Sequence, residues 1–107
     1  MPSNVRAQLS AAAEIALVDR RGRGFIKAVR TFVTALQRVP QGGPLDHSHE
    51  QLVTIRDLSE RVAIEIDDRI DDADDSDRIQ QELARTVETI RRTVEAIHVL
   101  ERHLLQA

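Results

Sequence analysis

RIQQELARTVETIRRTVEAIHVLERHLLQ, residues 78–106, decides the fold. It contains neither glycine nor proline, and its large apolar residues Ile79, Leu83, Val87, Ile90, Val94, Ile97, Leu100 and Leu104 recur every three or four positions. That is the period of one helix face, so the stretch predicts one long amphipathic helix with a charged back. A helix of this kind is stable only with its stripe against something else. The rest of the chain supplies more of the same.

Leu52, Ile55, Leu58, Val62, Ile66 and Ile70 form a second stripe. Ser48 and Gln51 stand at capping-box spacing before it, with Asp46 a further cap candidate, and the acidic run DDADDSD at 71–77 ends it. Aspartates oppose the dipole at a helix C-terminus and complement it at an N-terminus, so this run reads as a stop followed by a start. Upstream, Ala11, Ile15, Val18, Gly22, Phe25, Val29, Phe32, Leu36 and Val39 alternate by three and four. Only Gly22 breaks the apolar rule; the glycines of RRGRG at 20–24 would suit a loop, but the unbroken register across them favours one helix, kinked at Gly22 and Gly24 and ended by PQGGP at 40–44.

The fold class expected is therefore all-α: an elongated up-down-up three-helix bundle, with long helices about 4–39, 46–71 and 76–106, as a single domain over residues 1–107. Short turns would pair Ile70 with Ile79, Ile66 with Leu83, Val62 with Val87, Ile55 with Val94 and Leu52 with Ile97. On the other side they would pair Val39 with Leu45, Phe32 with Leu52, Val29 with Ile55, Gly22 with Val62 and Val18 with Ile66. An apolar stripe recurs every 3.5 residues, so about one register in three or four would match as well. A straight first helix would leave residues 4–12 overhanging, exposing part of a second stripe of Leu9, Ala12, Ala13, Ala16 and Leu17. Exposed apolar surface of that kind marks a contact, and a dimer pairing hairpins into a larger bundle is its simplest form.

The net charge of -3 conceals a strong asymmetry. Residues 1–40 hold seven Arg/Lys against two acids, residues 41–77 three against twelve, and residues 78–107 five against four. Arg20, Arg21, Arg23, Lys27 and Arg30 make a basic segment, the residues a nucleic-acid binder would use. The expected register sets this segment opposite Asp57 and Glu60, which would neutralise much of it inside the molecule. Two phenylalanines, with no tyrosine or tryptophan, leave no platform for stacking bases.

The same register gathers the four histidines at one end. His49, His98 and Glu101 form a candidate metal set, with His47 and His103 nearby, because imidazole and carboxylate on facing helices are how bundles hold zinc or iron. Glu95 and His98 have Glu-x-x-His spacing, but no second such motif accompanies them. Asp67 to Asp77 is rich in carboxylates yet lacks the glycine and glutamate of an EF-hand loop.

No catalytic template is present, neither a nucleophile elbow, a phosphate-binding glycine loop nor a zinc-protease histidine pair. No cofactor is implied. The absence of cysteine argues for no compartment; with no signal-like segment and no apolar run of spanning length, the sequence reads as that of a cytoplasmic protein. The function expected is non-enzymatic: a small adaptor, regulator or structural subunit acting through helix–helix contacts, with a homo-oligomer or a helical protein as partner. Metal binding at the histidine end is the first alternative, and nucleic-acid binding by the basic segment the second.

Overall fold

The computed structural model describes residues 2–41, 47–72 and 75–106. They form four α-helices, α1 (Pro2–Val18), α2 (Gly24–Arg38), α3 (His49–Asp72) and α4 (Asp77–Gln106), with no strand among the described residues. Both helices expected from the C-terminal stripes are present. Leu52, Ile55, Val62 and Ile66 of α3 and Leu83, Val87, Ile90 and Ile97 of α4 are buried. The capping box closes as its spacing predicts: the Ser48 amide donates to Gln51 Oε1 at 2.9 Å, and the Gln51 amide donates to Ser48 Oγ at 3.1 Å. Ser76 Oγ accepts from the Ile79 amide at the start of α4. Val39 is buried at the end of α2, whereas the expected partner Leu45 and the cap Asp46 lie outside the described residues.

The single helix expected over residues 4–39 is two. The chain leaves α1 after Val18, turns through residues 19–23 and returns as α2, which packs along α1. Gly22 makes the turn tight. The Asp19 carboxylate lies over it, and a Cβ at residue 22 would sit 1.8 Å from Asp19 Oδ2, so any larger residue would displace that side chain. Arg69 of α3 then fastens the turn from outside. Its guanidinium donates to the Arg20 carbonyl at 2.8 Å, grips Asp75 through two hydrogen bonds of 2.9 and 3.0 Å, and lies 5.1 Å from the Phe25 ring centre. One side chain thus ties both reversals at this end of the molecule.

Folding back reverses the inside and outside of α1. Leu9, Ala12, Ala13 and Ala16, the second stripe, are its buried face, at 4% exposure or less. Ile15 and Val18, expected in the core, are 53% and 80% exposed. The cause is the partner: small side chains let α1 approach α2 and α3 closely, and β-branched residues at those positions would hold the helices apart. From Phe25 onward the predicted stripe holds, with Phe25, Val29, Phe32, Leu36 and Val39 at 1% exposure or below.

The helices occupy four corners, α1 against α2 and α3, and α4 against α2 and α3, so that α2 and α3 are diagonal. Arg6 and Leu9 line one cleft with Gln51, Thr54 and Ile55, while Arg20 reaches Glu65 and Asp68, so α1 runs parallel to α3. One apolar core joins all four helices in a body of 48 × 21 × 17 Å. No helix of the described residues is long and apolar enough to cross a membrane.

Between α3 and α4, Glu101 meets Arg56 rather than Ser48, and Asp67 meets Arg91. In antiparallel helices long side chains lean toward their own N-termini and so toward each other, and these pairs reach across more than a turn of helix.

Candidate interaction surfaces and the histidine end

Glu101 projects from the last third of α4 into an apolar position and is 3% exposed. A buried carboxylate is costly without a partner. Arg56 of α3 provides one: Nε donates to Glu101 Oε2 at 2.9 Å and Nη2 to Oε1 at 3.3 Å, an arrangement that uses both carboxylate oxygens. The Glu101 hydrogen bond holds the Arg56 guanidinium above its ordinary pKa, against desolvation. His98 Nδ1 stands 3.5 Å from Glu101 Oε2 on the solvent side.

Of the candidate metal ligands, the structure therefore brings His98 and Glu101 together but commits Glu101 to Arg56. His49 opens α3 half-buried, His47 is buried just before it, and His103 is exposed. Among the described residues no group of three or more His, Asp or Glu is placed to hold a metal ion. His49, His98 and Glu101 form no such group among the described residues, and the Glu101 carboxylate is taken by Arg56. Arginines also occupy the carboxylates of the calcium-like run. Asp67 pairs with Arg91, Asp68 with Arg20 and Asp75 with Arg69, which holds the Asp75 carboxyl below the usual carboxylate range.

The basic segment does not meet Asp57 and Glu60. Arg20 turns to Glu65 and Asp68 of α3. Arg30 faces the other way and binds Glu82 of α4 through hydrogen bonds of 2.6 and 2.9 Å, which hold the Glu82 carboxyl below its ordinary range. Lys27 and Arg38 are exposed on α2.

Two apolar features reach solvent. Ala7, Ala11, Ile15 and Val18 are all exposed and, at helical spacing, line the outward face of α1. On the far side, Ala63, Ile90 and Val94 line a shallow groove between α3 and α4 with exposed Ile64, bordered by Glu60, Arg91 and Glu95. The α1 face is the more conspicuous, since only two charged residues, Arg6 and Glu14, occur in the whole helix. Sequence reasoning missed this face through assigning it to the core; the near absence of charge on α1 was the available signal.

In comparisons with family models, curated proteins and solved structures, nothing matches this chain.

Proposed function

We propose that the protein is a non-enzymatic helical interaction module that docks a partner helix along the outward face of α1, with pairing of two copies as its simplest form. The observation that carries this reading is the exposure of Ile15 and Val18 at 53% and 80% on a helix whose opposite face is fully packed. Alanines at 7 and 11 allow a second backbone to come close, and the two β-branched residues supply the apolar area. One helix face is small beside the roughly 800 Å² per partner of a standard interface, so the contact is expected to be readily reversible.

A photo-reactive residue at position 15 or 18 tests this, with position 88 on the charged back of α4 as control. Irradiation in extract of the source cells should join positions 15 and 18, not 88, to an identified polypeptide, and Ile15→Arg should lower the mass of any purified self-assembly. Equal labelling at all three positions sinks the reading.

A further inference from the structure

We propose that the face shared by α2 and the first half of α4 binds the phosphate backbone of duplex nucleic acid without regard to sequence. Arg23, Lys27, Arg30 and Arg38 fall at i, i+4, i+7 and i+15, one outward face of α2 with the residue preceding it. The Arg30–Glu82 pair sets that face beside a row on α4 in which Arg78 and Arg85 flank Glu82 a turn away on either side. Both arginines act with Arg30 to hold the Glu82 carboxyl low, as cations gathered around one acid must. Arg23, Lys27, Arg38, Arg78 and Arg85 are exposed and make no ion pair among the described residues. No acid occurs between residues 20 and 45.

The overall charge of -3 does not oppose this assignment, because most exposed acids lie elsewhere; of those in the first half of α4, Asp77 stands at the helix start and Glu88 pairs with Arg92 at 3.7 Å. Exposed Glu50, Asp57, Glu60 and Asp71 lie on α3, diagonal to α2, and charges on opposite sides of the bundle are screened over about 8 Å at physiological salt. The occupant follows from what the face lacks. Phe25 and Phe32, the aromatic residues of the chain, are fully buried, so single-stranded bases find nothing to stack upon. The exposed large apolar residues, Ile15, Val18, Ile64, Val99 and Leu105, are absent from α2 and from the first half of α4, so this face has nothing to insert into a lipid surface. A regular array of phosphates is what remains for cations without apolar or stacking neighbours.

The test is fluorescence anisotropy of a labelled mixed-sequence 20-base-pair duplex titrated with the whole protein across a salt series. Expected is a dissociation constant of about 10⁻⁶ to 10⁻⁴ M, with a log–log salt slope of about -4 from four to five neutralised phosphates. Lys27→Glu with Arg85→Glu should weaken binding at least about tenfold, and Arg61→Gln, at an exposed cation of α3, should leave it unchanged. Glu82→Gln gives the sharper arm. It removes the acid at the centre of the face and frees Arg30, so binding should tighten and the slope steepen by about one. Far-UV melts accompany each variant; should the double reversal fail to fold, Glu82→Gln decides. The proposal is overturned by absence of duplex binding at low salt, by weaker binding of Glu82→Gln, or by tighter binding to single strands. Binding to anionic vesicles in preference to the duplex overturns it equally.

Discussion

Charge separates α1 from α4. The outward side of α4 carries Arg85, Glu88, Arg92 and Glu95, whereas α1 carries only Arg6 and Glu14 over its length. On α4 the charged back leaves one face to bury, and the expected stripe is the one buried. On α1 both faces are apolar, one with Ala7, Ala11, Ile15 and Val18 and one with Leu9, Ala12, Ala13 and Ala16, and periodicity alone cannot choose between them. The choice falls to the partner. A helix lying in the crevice beside two others buries its small face and sends Ile15 and Val18 outward.

The largest effect expected concerns the one charge that α4 does bury. Arg56→Ala leaves Glu101, with its side chain 4% exposed, without its main partner, and should destabilise the fold by about 3 kcal/mol. That figure is the lower end for a broken buried pair, because the Arg56 side chain is 26% exposed and water reaches it. In a denaturant melt the double variant Arg56→Leu/Glu101→Leu should recover most of the loss, since an apolar pair carries no desolvation cost. A double variant as unstable as the single one would show that Arg56 acts through something other than Glu101.

On α1 the contrast itself can be broken. Ala16→Leu forces extra volume into a position at 0% exposure and should cost about 1–3 kcal/mol. Val18→Ser and Ile15→Ser, on the exposed face, should each stay within about 0.5 kcal/mol of the parent. A continuous first helix with Ile15 and Val18 in its core would reverse that order. Melting temperatures of the three variants, read side by side, decide between the two arrangements.

The three C-terminal stripes, from Phe25 to Val39, from Leu52 to Ile70 and from Ile79 to Leu104, were legible because heptad spacing and a polar back agree in each. The Ser48–Gln51 box was legible because two residues satisfy each other locally. The break at residues 19–23 was not. Gly22 and Gly24 offered it, but its stabilisation comes from Arg69, distant in sequence, and from the alanine face that α1 can bury only after turning back. At the histidine end the spacing placed Glu101 at an apolar position of α4 but could not name its partner, Arg56, because long side chains on facing helices reach past the residue directly opposite.

The smallest effect probes the Arg69 link between the α1–α2 turn and Asp75, just before α4. The Asp75 carboxyl is held below its ordinary value first by the Arg69 hydrogen bonds. A carboxyl depressed in the folded state contributes stability that is fully present above its unfolded pKa of about 3.9 and is lost as pH falls through the lower folded value. Asp75→Asn should therefore cost about 1 kcal/mol at pH 7, with the gap from the parent closing below about pH 4. Arg69 would keep its bond to the Arg20 carbonyl in that variant, so the turn should loosen without opening, seen as faster amide exchange at Gly22 and Phe25, whose amides bond across it. Unchanged exchange there, with the stability loss present, would place the effect of Asp75 on α4 alone and uncouple the two reversals.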